Sequence, residues 1–316
     1  MKTISVVVPC FNEEDNARAV YEQTCEVFDS LPHYALELLF IDNDSTDNTA
    51  AILRELAAHD SRVKVILNAR NFGHIRSPFH ALMQCTGDAA ILMAGDLQDP
   101  PPVILEFVRN WEKGFPVVLG VKKQTEETGL YYYLRKLYYW GIGRLSETEL
   151  LPGFHGYGLL DRRVIEALRS LHDPYPYFRG MIYEVGFEKA IVPYTQPLRK
   201  RGITKNNFYT LYDIAMLGLV NHSKIPLRLA ILVGFIMAIC SFLTALGYLM
   251  YKLVYWNQFS LGLAPVIIGL FLFSSVQLIF LGVLGEYLGA IYTHVRQRPL
   301  VIEKQRINFL PPIHTR

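Results

Sequence analysis

Apolar and polar positions follow two regimes along the chain. Up to about residue 223, short apolar runs alternate with segments of helical period. Ile4–Val8 is an almost continuous apolar run, the pattern of a parallel strand covered on both faces. Leu36–Ile41, Val63–Leu67, Ala89–Met93 and Val117–Val121 repeat that pattern. Helical spacing fills Glu13–Asp29, Thr46–His59, Ser77–Cys85 and Pro102–Lys113 between them. Strands alternating with helices predict an α/β domain on a parallel sheet, here over residues 1–205.

The second regime is almost wholly apolar. Leu229–Tyr251 and Leu253–Gly285 contain no charged residue. Roughly 20 residues of helix cross the hydrocarbon core of a bilayer. Two transmembrane helices are therefore predicted, near 229–251 and 264–287, as a hairpin over 227–295 with a tail over 296–316. Lys224 and Arg228 precede the first span, Arg296, Arg298, Lys304 and Arg306 follow the second, and only Lys252 lies between. The positive-inside rule then predicts a multi-pass protein of the inner (plasma) membrane, with both termini and the α/β domain cytoplasmic. Over 206–226, Phe208, Leu211, Tyr212, Ala215 and Leu219 recur at helical spacing. That pattern fits an amphipathic helix at the membrane surface or a core-facing helix, and the adjoining span favours the first.

Composition narrows the function. Among 316 residues, 51% are hydrophobic and 19% charged, too apolar for a disordered chain. A net charge of +2 argues against a nucleic-acid binder. Cys10, Cys25, Cys85 and Cys240 are scattered, without a CxxC or a histidine cluster, and read as buried thiols rather than disulfides or a zinc site.

Ligands of open α/β sheets sit where the strands end, and these ends are rich in polar chemistry. The first runs into Pro9-Cys10-Phe11-Asn12-Glu13-Glu14, the second into Asp42-Asn43-Asp44-Ser45-Thr46-Asp47, the fourth into Gly95-Asp96-Leu97-Gln98-Asp99-Pro100-Pro101. Neither GxGxxG nor GxxxxGK[ST] occurs, which disfavours nicotinamide and P-loop chemistry. Asp42 is placed to accept from a nucleoside or to brace a turn. Asp96 and Gln98 offer hard oxygens suited to Mg²⁺ or Mn²⁺ on a diphosphate.

Taken in order with Asn71-Phe72-Gly73, these segments resemble family 2 glycosyltransferases. The ending, Gly285-Glu286-Tyr287-Leu288-Gly289-Ala290-Ile291-Tyr292 and then Val295-Arg296-Gln297-Arg298-Pro299, resembles the polyprenyl-phosphate type. That type includes the bactoprenol glucosyltransferases and, more distantly, dolichol-phosphate mannose synthase. The resemblance implies a GT-A (Rossmann-like) domain followed by two transmembrane helices. It also implies inverting transfer from a nucleotide-diphosphate sugar, a UDP-sugar favoured, to a membrane polyprenyl (undecaprenyl) phosphate, and a homo-oligomer.

By position, Pro9, Asn12, Glu13, Asp42, Asn43 and Asp96 are expected at the nucleotide-sugar site, and Asp96 and Gln98 at the metal. The cations Lys122, Arg135, Arg199, Arg201 and Lys205 are expected at the acceptor phosphate, with Asp96, Arg201 and Lys205 serving catalysis. The chain departs from the family pattern at Asn43-Asp44, usually Asp-Gly, and at Ala94, usually the first acid of a DxD. Gly156 and Gly158 stand where relatives carry Asp and Arg, and His155 is the nearest substitute for a base. Asp161 is expected to cap a helix beginning at Arg162. The rival readings are a degenerate, membrane-anchored nucleotide-sugar binder and a processive polysaccharide synthase, the latter disfavoured because no QxxRW motif occurs.

Overall fold

The computed structural model describes residues 1–123, 151, 153–197, 225–255, 263–296 and 298–309. All five expected strands form: β1 (Lys2–Cys10), β2 (Tyr34–Asp42), β3 (Val63–Asn68), β4 (Ala89–Leu92) and β5 (Val117–Lys122). The helices between them are α1 (Ala17–Asp29), α2 (Thr49–His59), α3 (Gly73–Gln84) and α4 (Ile104–Glu112). α3 begins four residues ahead of the expected Ser77 and runs through Pro78, which forfeits only one helical hydrogen bond.

Three strands join that the hydrophobic pattern did not predict: β6 (Phe154–Asp161), β7 (Lys189–Tyr194) and β8 (Glu303–Ile307). The sheet has eight strands in the order β7-β5-β6-β4-β1-β2-β3-β8. β6 runs antiparallel to β4 and β5, β8 antiparallel to β3, and the remaining pairs are parallel. One edge of the sheet therefore collects the carboxyl ends of β1, β2, β3, β4, β5 and β7 and the amino ends of β6 and β8.

Successive strand residues face opposite ways, and both faces are covered. On one, Val6, Val8, Leu38 and Phe40 pack with Val20 and Phe28 of α1, Leu53 of α2 and Phe107 of α4. On the other, Val7, Leu39 and Ile41 pack with Phe79 and Leu82 of α3 and with two further helices, α5 (Arg162–Ser170) and α6 (Phe178–Glu184). Full burial of each such side chain stabilises by about 1.5–3 kcal/mol, which is why the strands read as unbroken apolar runs. Asp161 caps α5 as expected, accepting from the Arg163 N–H at 3.0 Å.

A second unit holds α7 (Ile225–Val254) and α8 (Leu263–Val295), both longer than the predicted spans. Over Leu227–Val254 and Gly269–Val295 they are long and apolar enough to cross a membrane. Large apolar side chains such as Phe235, Phe242, Phe271 and Leu278 point outward along them, a surface that water does not favour. The expected surface helix over 206–226 lies largely outside the described residues.

The tail expected over 296–316 is corrected in part. Its residues Glu303–Ile307 complete the sheet, returning the chain to the unit that β1 begins. The Ala69 N–H donates to the Ile302 carbonyl at 2.9 Å. Asn308 donates from Nδ2 to the carbonyls of Ala57 (2.6 Å) and Val63 (2.9 Å). Glu303 accepts from His80 of α3 at 2.6 Å and from Arg306, whose Nη2 also donates to Gln84 at 2.8 Å. A charged edge strand with a single sheet partner resembles a solvated tail in sequence, since edges are protected by charge.

Burial acts to raise the Glu303 pKa, but the hydrogen bonds from His80 and Arg306 outweigh it and hold the carboxyl at about 2. A carboxyl depressed in this way stabilises the fold above its unfolded pKa, and that stabilisation fades as pH falls towards the folded value. Glu303→Gln is therefore expected to flatten the acid limb of the stability curve between about pH 4.5 and 2. Thermal denaturation across that range checks it, and an unchanged slope would discount the clasp.

Candidate active site

At the carboxyl edge the strand ladders end, and side-chain oxygens take over the loop amides. Asn12, with φ +57°, takes the Thr46 N–H on Oδ1 at 2.8 Å, and its own N–H donates to Ser45 Oγ at 2.9 Å. Glu13 N–H donates to Thr49 Oγ1 at 2.8 Å, and the Glu13 carboxylate accepts from Asn16 Nδ2 at 2.7 Å. Asp47 accepts the Thr49 N–H at 3.0 Å and the Glu14 N–H at 3.2 Å, so it satisfies the start of α2. The two loops that follow β1 and β2 are thus laced into one surface, with Pro9, the penultimate residue of β1, beside Ile41.

Asp42 is buried at 3% exposure, with Ser45 donating to it from both N–H (3.2 Å) and Oγ. Burial pushes its pKa up, the Ser45 bonds pull it down, and the charges of Asp44 and Asp47 raise it further. Each of its oxygens keeps a second lone pair for one further donor. Asn43 is spent within the protein. Its Oδ1 accepts from Asn68 Nδ2 (3.0 Å) and Phe72 N–H (2.9 Å), and its Nδ2 donates to Asn71 Oδ1 (2.9 Å) and the Gly73 carbonyl (3.3 Å). It ties β2 to the start of α3 rather than presenting its amide outward. Asp44 has φ +63°, which explains why glycine suits that place in the family pattern.

The loop after β4 carries the expected metal residues. Gly95 lets it lie against β1: a Cβ there would stand 2.9 Å from the Pro9 carbonyl oxygen. Asp96 Oδ1 accepts the Gln98 N–H at 3.1 Å across Leu97, which is held at φ +59°. Left-handed backbone at a leucine costs about 1–2 kcal/mol and persists only where neighbours fix it. Asp99 does the fixing. Its Oδ2 accepts the Ala94 N–H at 3.0 Å and its Oδ1 the Tyr194 hydroxyl at 2.9 Å. Burial pushes the Asp99 pKa upward, against the lowering effect of those two bonds. Asp99 thereby braces the turn that carries Asp96. Gln98 Oε1 accepts from Gln196 Nε2 at 2.9 Å.

Gln196 and Tyr194 stand at the end of β7, and the sequence reading missed both because it did not recognise that strand. Lys122 ends β5 opposite Tyr194, on the same edge as Asp96. Gly158 leaves no room for a side chain, since a Cβ would stand 2.5 Å from the Val118 carbonyl oxygen. Gly156 has φ +113°. His155 donates from Nδ1 to the Gly153 carbonyl at 3.0 Å. Arg135, Arg199, Arg201 and Lys205 lie outside the described residues.

Tyr194→Phe removes a donor from Asp99 and is expected to lower the unfolding free energy by about 1–3 kcal/mol, the cost of an unmet hydrogen bond to a charged group. Denaturant titration of the purified chain measures this. A midpoint equal to that of the unmodified chain would show that the turn does not lean on the pair.

The whole arrangement can be set beside known proteins. Residues 5–169 match the family model described as "Glycosyl transferase family 2". An uncharacterized glycosyltransferase of Bacillus subtilis, YkcC, is 34% identical over 94% of this chain and 92% of its own length. The bactoprenol glucosyl transferase of Shigella phage SfX is 32% identical over 96% of this chain and 99% of its own. Among solved structures, glucosyl-3-phosphoglycerate synthase from Mycobacterium tuberculosis matches with a TM-score of 0.46 at 21% identity, covering 69% of this chain and 78% of that one. With a family model spanning more than half the chain and relatives of this identity along its full length, the protein is a glycosyltransferase and belongs to glycosyl transferase family 2.

Proposed function

We propose that this enzyme transfers a sugar, with inversion, from a nucleotide-diphosphate sugar to the phosphate of a membrane polyprenol. The observation that carries the reading is that likeness to bactoprenol glucosyl transferases runs through the α/β domain and the two apolar helices alike, over 96% of the chain. A soluble acceptor would give the helices no task, whereas a polyprenyl phosphate resides in the bilayer they fit.

In this reading Pro9, Asn12, Glu13 and Asp42 line the nucleotide side of the site, with a UDP-sugar favoured. The acceptor phosphate attacks the anomeric carbon opposite the departing nucleoside diphosphate. A phosphate is already ionised near neutral pH, so no base has to remove a proton. Gly156 and Gly158, in place of an acid and an arginine, are compatible with that chemistry. Positioning and charge neutralisation remain, and Lys122 is the described residue among the expected cations. Arg135, Arg199, Arg201 and Lys205 stay candidates on sequence grounds.

The described residues contain no group of three or more His, Cys, Asp or Glu able to enclose a metal. Mg²⁺ does not need one, because it is commonly held by one or two carboxylates with substrate phosphates and water. Asp96 meets that requirement, and Gln98 retains a second lone pair on the oxygen that Gln196 engages. Bound there, Mg²⁺ or Mn²⁺ would neutralise charge on the leaving diphosphate.

Strand β8 also bears on membrane topology. The chain leaves the sheet after β7 and returns to it at β8, so a folded body on one side of a membrane requires an even number of crossings between. Together with the flanking basic residues, this supports two spans with both termini cytoplasmic.

Purified full-length protein with undecaprenyl phosphate and a panel of UDP-, GDP- and dTDP-sugars is the test, and a glycolipid product is expected with one donor. Chelation should abolish formation and Mg²⁺ or Mn²⁺ restore it, while Asp96→Ala should lower turnover at least about a hundredfold. Undiminished turnover in EDTA would reject the metal assignment. For topology, a cysteine at position 258 should react with an impermeant reagent in intact cells, and one at position 316 only after permeabilisation. The opposite pattern would separate the site from cytoplasmic nucleotide sugars.

A further inference from the structure

Asn71-Phe72-Gly73 is followed by three basic side chains, His74, Arg76 and His80. The fold divides them. His80 is engaged by Glu303. His74 and Arg76 lie in the first turns of α3, whose start is pinned beside Asn43 at the carboxyl edge. A third cation comes from elsewhere in the chain. Arg179 is the second residue of α6, and its charge, after burial, depresses the His74 pKa.

α6 lies over the amino end of β6. Phe178 packs on Phe154 with ring centroids 6.5 Å apart, and its ring comes 3.8 Å from where a Cβ on Gly156 would stand. Leu92, the last residue of β4, comes within 3.9 Å of the same point, four residues ahead of Asp96. These cations therefore gather on the α3 and α6 face of the edge that carries the candidate site.

None of the ion pairs among the described residues involves Arg76 or Arg179. Each guanidinium is instead set against an aromatic ring, Arg76 5.0 Å from the centroid of Tyr175 and Arg179 5.8 Å from that of Tyr177. Arg76 Nε is buried without a hydrogen-bond partner. Asp173, two residues before Tyr175, accepts the Tyr175 N–H at 2.8 Å. No acidic residue occupies the first turn of α3, whose amino end itself favours negative charge. Arg76 Nε is shielded from any incoming ligand, but the Nη groups of the same guanidinium are not among the buried unpaired atoms, and an oxyanion is the ligand class that a guanidinium fork takes. Arginine forks match phosphate oxygens in pairs.

We propose that His74, Arg76 and Arg179 form a phosphate site at the carboxyl edge, and that it takes the phosphate of the lipid acceptor rather than the diphosphate of the donor. The assignment to the acceptor rests on the function proposed above. It also follows the layout of the edge: Asp42 and Asp96 serve the donor from the ends of β2 and β4, and this cluster adds a separate centre of positive charge.

The test uses the full-length protein in detergent with Arg76→Gln and, should that variant not fold, Arg179→Gln. Three quantities are measured: the KM for undecaprenyl phosphate, the calorimetric Kd for UDP, and the NMR shift of the His74 ring on adding inorganic phosphate at constant pH. The expected result is a KM raised at least about tenfold, the scale of one charge-assisted hydrogen bond, with UDP affinity held within about twofold. Phosphate should move the His74 signal towards the charged form in the unmodified protein and not in the variants. A weakened UDP complex with an unchanged acceptor KM would overturn the assignment in favour of the donor diphosphate. A His74 signal indifferent to phosphate, with unchanged kinetics, would overturn the site itself. Should the unmodified protein fail to use undecaprenyl phosphate while His74 still responds, the polyprenyl acceptor would fall and the phosphate site would stand.

Discussion

Six parallel strands stop along one edge of the sheet, and there the backbone amides lose their ladder partners. Buried amides have to be paired, and this constraint organises everything at the candidate site. Asn12, Asn43, Asp47 and Asp99 each place a side-chain oxygen on a loop N–H. The left-handed residues Asn12, Asp44 and Leu97 fall in these same loops, where bonds from neighbouring loops or from within the turn over-determine the backbone. Pre-organisation of this sort lets a site stabilise a transition state without first rearranging.

The same accounting clarifies the departures from the family pattern. Ala94 supplies no carboxylate, yet its N–H anchors Asp99, which steadies the turn that presents Asp96. Asp96 and Asp99, three residues apart, thus brace the same loop at different points, Asp96 at the Gln98 N–H and Asp99 at the Ala94 N–H and the Tyr194 hydroxyl. Gly158 follows from strand packing alone, because the Val118 carbonyl fills the space a side chain would need. Neither position requires the enzyme to have lost activity, provided the acceptor arrives as an anion.

How much could be read in advance follows from which forces leave a trace in sequence. The five buried strands and the apolar helices were legible because burial on both faces, or immersion in lipid, selects unbroken apolar runs. β6 was not, since Gly156 and Gly158 interrupt its pattern, and β8 was not, since Glu303, Lys304 and Arg306 make it look solvated. Missing β7 carried a further loss, because the rule that ligands gather at strand ends could not then reach Tyr194 and Gln196. The motif residues Asp42, Asp96 and Gln98 were found where expected, on the edge. Asn43 follows β2 on the same edge, but its amide serves the neighbouring loop. Arg179 left no local signal, as its relation to His74 exists only after α3 and α6 fold onto the same sheet.

The pairing of β3 with β8 joins residues on either side of the apolar helices, Val65 with Ile307. During synthesis the ribosome delivers β3 before the two helices and β8 after them. Until then the β3 edge is an unpaired row of N–H and C=O groups, the kind of surface that recruits stray strands. Closing so long a loop is entropically slow, but anchoring the helices in a bilayer would confine the returning segment near its partner. The catalytic domain thus completes its sheet only after both apolar helices have been made, so the pairing of β3 with β8 ties closure of the sheet to synthesis of the helices between them.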